Sequence, residues 1–443
     1  MRPNPIVILH GWSDTSQSFG PLAAWLRARG FTVAPVVLGD YLSMTDEITV
    51  KDLGFAFRRA LDAAGVPQGP HGFDAIVHST GGLVIREYLR QVCAGQPERT
   101  PVQNLLMFSP ANFGSPLATL GKSLLGRLTE GWDWNHFGQT GRAILDALEL
   151  ASPYSWDLAM NDLFDPAMPV YDSAHTFLTV IGGTAAYSGF RAALHENGSD
   201  GTVRVSTASL NAALLKLDCA GPDPIASLRV ERNCPELALA VLNRDHSAVH
   251  DPADPRQTAI WEQTVLDALT LDPSQYSAHT GRCAQIAQAT FAAGLADSPN
   301  PERYHQYQTL VVRVRDQFGA PVNDYMIEFY QEADDDTDSV FTALHGDILE
   351  KVTTNSVDSS YRSFLLDCTD LTAFLDAHPA AQVELSISAA NLSERITYRN
   401  PQRGVMVFTG ADRTLVRPNA TLLVDVTLYR DSTAAVFRLA AAP

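Results

Sequence analysis

The N-terminal part of the chain alternates short apolar runs with segments of helical periodicity, and this alternation leaves few folds open. Pro5–His10 (PIVILH) is an almost continuous apolar run, as expected for a parallel strand buried on both faces, and Phe31–Leu38 has the same character. The later predicted elements are a helix over Val50–Ala64, a strand over Phe73–Val77, a helix over Gly82–Ala94, and strands over Asn104–Phe108 and Thr176–Ile181. This order predicts a parallel sheet with helices on both faces.

A stretch from Leu117 to about Pro169 interrupts the alternation, because helical spacing recurs there without an intervening strand. The predicted helices are Leu117–Leu128, Gly141–Leu150 and Trp156–Phe164. The first carries leucines at helical spacing, and tryptophan and phenylalanine follow it: Leu117, Leu120, Leu124, Leu125, Leu128, Trp132, Trp134 and Phe137. We interpret the stretch as an insertion over the sheet, either a mobile apolar lid or a packed helical subdomain.

A second domain is expected because 443 residues exceed what one hydrophobic core usually contains. The proline-containing segment Asp297–Pro301 follows the helices predicted at Trp261–Leu271 and His279–Leu295. Beyond it, short alternating strands separated by turns are typical of a β-sandwich. The sequence therefore predicts an α/β domain over residues 1–298 and a β-sandwich domain over residues 303–443.

Ser79 lies in the segment Ile76–Gly82 (IVHSTGG), between a predicted buried strand and a predicted helix. A sharp turn in that position lifts a serine hydroxyl above the carboxyl edge of the sheet, where it can act as a nucleophile. Val77 stands where the G-x-S-x-G pattern has its first glycine, while Gly81 and Gly82 are present. The alternative is a serine that only caps the following helix.

His10-Gly11-Trp12-Ser13 directly follows the first predicted strand. A loop in this place can present a main-chain N–H to a developing oxyanion, so we predict the amides of Trp12 and Thr80 as the two donors. Removing one such donor costs about 3 to 4 kcal/mol of transition-state stabilisation in other enzymes. Taken alone, a His-Gly pair after a strand is equally compatible with an ordinary turn.

The acid and the base of a catalytic triad are expected later in the chain, in that order. Asp200 lies in Asn197–Val203 (NGSDGTV), and His246 lies in the segment Asn243–His250 (NRDHSAVH). We predict that Asp200 orients His246, which takes the Ser79 proton before an acyl-enzyme forms. Three alternatives stay open: His250 as the base, Asp200 as a turn residue only, and a metal site built from the segment around His246. We expect no metal and no cofactor.

These motifs resemble the α/β-hydrolase superfamily, in particular its bacterial lipase and esterase branch. The motifs that carry the resemblance are His10-Gly11-Trp12, His78-Ser79-Thr80-Gly81-Gly82, Ser109–Ala118 (SPANFGSPLA), Asp200-Gly201-Thr202-Val203 and Asp245-His246-Ser247. The resemblance implies an α/β-hydrolase fold with a lid and a serine ester hydrolase that uses Ser79, Asp200 and His246. It covers the first domain only and implies no role for the C-terminal β region.

The apolar, aromatic insertion favours a substrate with a medium or long acyl chain, so a triacylglycerol lipase or carboxylesterase is the first hypothesis. Phospholipase, thioesterase, amidase and polyester depolymerase activities use the same triad. An inactive scaffold whose C-terminal domain binds a partner belongs to a different class, and retention of all three triad residue types argues against it. The lid is the expected contact with a lipid interface.

The remaining expectations concern charge, cysteines and location. A formal net charge of −18 argues against nucleic acid as a partner, and no apolar stretch is long enough to span a membrane. The chain is expected to be cytoplasmic, or secreted with its leader removed. Cys219 and Cys234 either bridge one loop or are buried hydrophobic residues. The acidic run Glu332–Asp338 is expected to be a solvated loop, with calcium binding as the alternative.

Overall fold

The computed structural model of the protein describes residues 4–11, 16–37, 46–119, 141–187, 196–219, 229–231, 237–331, 344–379, 382–401, 405–433 and 436. Tertiary contacts divide the chain into two compact units. The first unit comprises Met1–Ala212, Arg232–Tyr307 and Asn419–Thr421, and the second comprises Ala213–Glu231, Gln308–Pro418 and Leu422–Pro443.

The secondary structure of the described residues is as follows. The strands are β1 (Ile6–Leu9), β2 (Val33–Val37), β3 (Phe73–His78), β4 (Val102–Phe108), β5 (Phe177–Gly183), β6 (Ala213–Cys219), β7 (Arg229–Glu231), β8 (Ala238–Leu242), β9 (Tyr307–Asp316), β10 (Tyr325–Gln331), β11 (Leu349–Thr354), β12 (Tyr361–Asp367), β13 (Gln382–Ala389), β14 (Ile396–Arg399), β15 (Met406–Thr409) and β16 (Thr421–Ser432). The helices are α1 (Gly20–Ala28), α2 (Val50–Ala63), α3 (Gly81–Cys93), α4 (Pro116–Thr119), α5 (Arg142–Leu148), α6 (Pro153–Asp162), α7 (Val205–Ala208), α8 (Thr258–Ala268), α9 (Tyr276–Asp297) and α10 (Cys368–Ala377).

The first unit is built on a six-stranded sheet in the order β2-β1-β3-β4-β5-β8. All of its neighbouring strands are parallel, and the pairings Leu9↔Val77 and His78↔Phe108 align the carboxyl ends of the central strands. Strands β1 and β3 are buried at every position, as their continuous apolar sequences predict. The predicted α/β fold is confirmed, and the loops that leave the strands meet at one edge of the sheet.

The core of the first unit lies on both faces of this sheet. On one face, side chains of β1, β3, β4 and β5 pack with those of α1, α8 and α9, including the fully buried Trp261. Alternate strand residues such as Val77 and Met107 point to the opposite face, where they are also buried. Helices α2 and α3 pack against each other, and α2 begins with a capping box between Thr49 and Asp52.

The described part of the insertion is a packed helical region. Trp156 of α6 is fully buried, and the Asp162 carboxylate at the end of that helix pairs with the Arg86 guanidinium of α3 at 2.7 Å. Helices α5 and α6 correspond to the predicted helices Gly141–Leu150 and Trp156–Phe164. Helix α4 is the described start of the predicted helix Leu117–Leu128. Residues 120–140, which include all of the predicted lid residues except Leu117, lie outside the described residues. The lid therefore stays a prediction.

The second unit contains two sheets that form the predicted sandwich-like domain. One sheet has the order β11-β12-β9-β16-β6-β7, with β14 paired to β16, and the other is the antiparallel sheet β10-β13-β15. A single cluster of buried residues contains Leu310 and Val424 from the first sheet and Leu385 and Phe408 from the second, so apolar faces of the two sheets pack on each other. The acidic run Glu332–Asp338 lies outside the described residues.

The second unit differs in composition from the predicted β-sandwich domain, most of all by two strands. Strands β6 and β7 come from the middle of the sequence, within the range assigned above to the first domain. Strand β6 pairs in parallel with β16, for example Leu422 with Ala213, and β7 pairs with β6, so both extend a sheet whose remaining strands are C-terminal. A local sequence pattern can indicate a strand over residues 213–219, but it cannot show that the partner strand is C-terminal. Within β6, Cys219 is a buried free thiol, and Cys234 lies outside the described residues.

The described helices include none that is both long and apolar enough to cross a membrane.

Candidate active site

Ser79 occupies a strained turn between β3 and α3. Its φ is 55°, in the left-handed region that residues other than glycine rarely adopt. The Ser79 N–H donates to the Phe108 carbonyl at 3.2 Å, and the Ser79 carbonyl accepts from Gly82 at 3.0 Å and from Ala111 at 3.1 Å. These bonds hold the strained main chain in place, and such strain is characteristic of functional turns. Val77, His78 and Thr80 around the serine are buried, whereas Ser79 itself is only partly buried.

Glycines around Ser79 allow the turn to pack closely. A Cβ atom at Gly81 would lie 2.8 Å from the Leu9 carbonyl oxygen, and one at Gly82 would lie 2.6 Å from the Pro110 Cβ. These contacts explain the Gly81-Gly82 pair of the motif, because any side chain would push α3 away from the sheet. Val77 is fully buried within the sheet, so the position of the missing first glycine is filled by an ordinary core side chain.

Gly11, which follows β1, lies directly against the serine. A Cβ atom at Gly11 would be 2.8 Å from the Ser79 Cβ and 3.3 Å from its Oγ. The Thr80 amide, at the N-terminus of α3, donates to no acceptor in the part of the chain that the structure describes. An unused amide at a helix N-terminus is suited to binding negative charge. Of the two predicted oxyanion donors, Thr80 is thus available, and Trp12 lies outside the described residues.

Asp200 and His246 lie in direct contact although they are far apart in sequence. The His246 Nδ1 lies 2.8 Å from the Asp200 Oδ2. The main-chain N–H of His246 also donates to the Asp200 carbonyl at 3.0 Å. The other carboxylate oxygen, Oδ1, accepts from the amides of Thr202 at 2.9 Å and Val203 at 2.8 Å. Asp200 therefore shapes its own turn and also orients the imidazole.

The surroundings of Asp200 keep its carboxylate charged. The side chain is almost completely buried, which by itself raises the pKa of a carboxyl group. The His246 imidazole and the hydrogen bonds from His246 and Val203 outweigh burial, so the pKa of Asp200 lies below its ordinary value of 3.8. The hydroxyl of Ser109 also lowers this pKa, although it has no hydrogen-bond partner of good geometry among the described residues.

The other candidates in the His246 segment have different surroundings. The ring of His250 stacks on Phe19 with 4.2 Å between centroids, and its centroid lies 4.8 Å from that of His78. The Asp245 carboxylate pairs with the Arg256 guanidinium at 2.8 Å. Of the two histidines, His246 is the one for which the structure gives an Asp200 contact. The proposed metal ligands Asp245 and His246 therefore pair with other side chains.

Arg244 supports the loop that carries His246, and sequence reasoning missed it. This fully buried guanidinium donates to the main-chain carbonyls of Asp251 at 2.8 Å, Arg256 at 2.9 Å and Asp254 at 3.0 Å. Buried arginines need several acceptors, and the carbonyls of an irregular loop supply them here. The only signal in the sequence is an arginine two residues after the apolar run that forms β8.

Gly183, the last residue of β5, allows a direct test of how tightly the carboxyl edge of the sheet is packed. A Cβ atom there would overlap the Arg244 carbonyl oxygen and lie 2.9 Å from the Asp200 Cβ, so the main chain would have to move. We expect Gly183→Ala to lower the free energy of unfolding by about 1 to 3 kcal/mol through overpacking. Urea denaturation measures this change.

Gly182→Ala is the matched control, because a Cβ atom at Gly182 meets its nearest neighbour, Val205, only at 3.9 Å. Both changes remove the same unfolded-chain entropy from adjacent positions of one strand. A difference in urea midpoint between them therefore reports the clash with Arg244 and Asp200. Equal stability of the two variants would show that the edge is looser than described.

No family model matches the sequence, and no curated protein matches it. Among solved structures, the phospholipase PlaB from Legionella pneumophila is similar over 99% of this chain and 96% of its own, with a TM-score of 0.81 and 25% sequence identity. A structure of the same phospholipase in complex with thio-NAD matches with a TM-score of 0.80 and the same identity and coverage. The parallel sheet, the strained serine turn and this likeness together identify the chain as a member of the α/β-hydrolase superfamily.

Proposed function

We propose that the protein is a serine hydrolase of acyl esters in which Ser79 is the nucleophile, His246 the general base and Asp200 the residue that orients the base. One observation carries the proposal. The Asp200–His246 pair, 2.8 Å apart and buried, occurs in a unit that also holds a serine in a strained turn at the carboxyl end of β3. Nucleophile, base and orienting acid in this chain order are typical of hydrolases with this fold.

In the proposed mechanism, His246 Nε2 takes the proton of Ser79 as Oγ attacks the ester carbonyl carbon. The negative charge that develops on the carbonyl oxygen is bound by the Thr80 amide and a second donor from the loop after Gly11. Collapse of the tetrahedral intermediate breaks the ester C–O bond, and the imidazolium protonates the departing alcohol. Water, deprotonated by His246, then cleaves the acyl-enzyme and releases the acid.

A lipid ester is the proposed substrate. A carboxylesterase or triacylglycerol lipase is the broader candidate, because Ser79, Asp200 and His246 all lie in the first unit. A phospholipid is favoured within this class because the likeness to the phospholipase PlaB extends over 99% of the chain and therefore includes the second unit. The apolar sequence between α4 and α5 supports an acyl chain of medium or greater length.

The test is release of fatty acid by the full-length chain from phosphatidylcholine, lysophosphatidylcholine and tributyrin, alongside p-nitrophenyl esters from acetate to palmitate. We expect hydrolysis of phospholipid and, among the p-nitrophenyl esters, a maximum above the shortest chains. Hydrolysis restricted to p-nitrophenyl acetate would reduce the proposal to a short-chain carboxylesterase. Absence of hydrolysis on every ester would refute the proposed function.

A further inference from the structure

His78, the residue before the nucleophile, contacts the main chain of the proposed base. Its Nε2 lies 3.0 Å from the His246 carbonyl oxygen, in a buried hydrogen bond. The two imidazole rings have centroids 4.5 Å apart. His78 is also the last residue of β3, and its position is fixed by pairing with Phe108 of β4. The contact therefore joins the rigid end of a central strand to the loop that carries His246.

We propose that His78 is a positioning residue that fixes the distance between Ser79 and His246. The main-chain N–H of His246 is held by the Asp200 carbonyl at 3.0 Å, and its carbonyl is held by His78. The base is thereby fixed from two sides, and one of the two anchors is covalently bonded to the nucleophile. Proton transfer needs donor and acceptor within hydrogen-bond reach, so a loop that drifts by about 1 Å would slow the reaction strongly. This inference rests on the proposed function.

The hydrogen bond determines the tautomer of His78. A carbonyl oxygen only accepts, so Nε2 must carry the proton. The other ring nitrogen, Nδ1, is buried and has no partner among the described residues. Burial, together with the imidazoles of His246, His250 and His10, lowers the pKa of His78 well below 6.5. His78 is therefore a neutral donor and adds no positive charge beside the base.

A purely structural role for His78 is the competing explanation, because its ring also packs at 5.8 Å from the Phe19 centroid. The variants His78→Gln and His78→Asn separate the two roles. Both place a neutral amide at the end of β3, but only the glutamine is long enough to bring its N–H₂ group to the position of Nε2. The pair differs by one methylene group, so loss of the imidazole packing is nearly the same in both.

For the full-length protein acting on a p-nitrophenyl ester, we expect His78→Asn to lower kcat by about 100-fold, the size expected from a misplacement of about 1 Å. KM should stay within about threefold, because a residue that acts only by positioning the base leaves binding of the ground-state substrate unchanged. His78→Gln should retain kcat within about fivefold of the parent. Equal kcat values for the two variants, whether high or low, would overturn the proposal.

A double-mutant cycle with His246→Ala tests whether His78 acts through the base. In the His246→Ala background, His78→Asn is expected to cause no further loss of the residual activity, because there is no base left to position. An additional loss of similar size in that background would show that His78 only stabilises the fold. Failure of the proposed function itself would be seen separately, as an inactive parent protein.

Discussion

Replacing Ser79 with alanine is expected to abolish ester hydrolysis, with kcat falling by about 10⁶-fold, the size found when a triad nucleophile is removed from other serine hydrolases. No acyl-enzyme forms without the hydroxyl, and the remaining Asp200–His246 pair activates only water. The fold should persist, because the main-chain bonds from Ser79 to Phe108, Gly82 and Ala111 do not involve the side chain. Alanine also has the same difficulty as serine in adopting a φ of 55°.

Two measurements check this result. The first is the rate of p-nitrophenyl ester hydrolysis, and the second is covalent labelling by a fluorophosphonate, followed by mass spectrometry of the labelled peptide. Ser274→Ala is the control, since Ser274 is exposed and its hydroxyl donates to the nearby Asp272 carboxylate. Label on a serine other than Ser79, or activity that survives in Ser79→Ala, would remove Ser79 from the mechanism.

The elements that position Ser79 could be predicted because their signals are local. A continuous apolar run predicts a buried parallel strand, and β1 and β3 are buried at every position. The glycines after Ser79 belong to the same short motif, although the atoms that leave no room for side chains there come from distant residues, Leu9 and Pro110. Val77 stands where the G-x-S-x-G pattern has its first glycine. It belongs to the sheet, where a branched apolar side chain packs well.

Interactions formed across long sequence separations could not be predicted in the same way. The pairing of β6 with β16 joins residues that local periodicity cannot relate. His78 and Arg244 are further examples, because each side chain bonds to main-chain carbonyls of an irregular loop. A carbonyl acceptor is present at every residue of a chain, so such contacts carry no pattern of residue types. Only the folded positions of the loops show which arginine or histidine is used.

Replacing Asp200 with asparagine is expected to lower kcat by about 10⁴-fold, the loss found when the triad aspartate of another serine hydrolase is changed in this way. The reason is geometric. The amides of Thr202 and Val203 both donate to Oδ1 of Asp200, so an asparagine at this position must direct its side-chain carbonyl oxygen to them. Its N–H₂ group then faces His246 Nδ1, which can only accept from it. The imidazole proton is forced onto Nε2, where it blocks removal of the Ser79 proton.

Asp245→Asn is the matched control, because Asp245 is the carboxylate next to His246 and pairs with Arg256 on the loop surface. We expect it to retain kcat within about threefold, since a partly exposed ion pair contributes little. Comparable losses in the two variants would mean that general electrostatics, and not the tautomer of His246, accounts for the effect of Asp200.

The pH dependence of the free energy of unfolding tests the pKa of Asp200 independently of catalysis. Because the pKa of Asp200 is lower in the folded protein than its ordinary value of 3.8, ionised Asp200 stabilises the fold above about pH 4. That contribution is lost as the pH falls through the folded-state pKa, since the protonated group no longer pairs with His246. Asparagine cannot titrate, so the urea midpoint of Asp200→Asn should fall less than that of the parent between pH 5 and about pH 3. An unchanged pH dependence would mean that the pKa of Asp200 is the same in the folded and the unfolded protein, and the stabilising contact between its carboxylate and His246 would then be refuted.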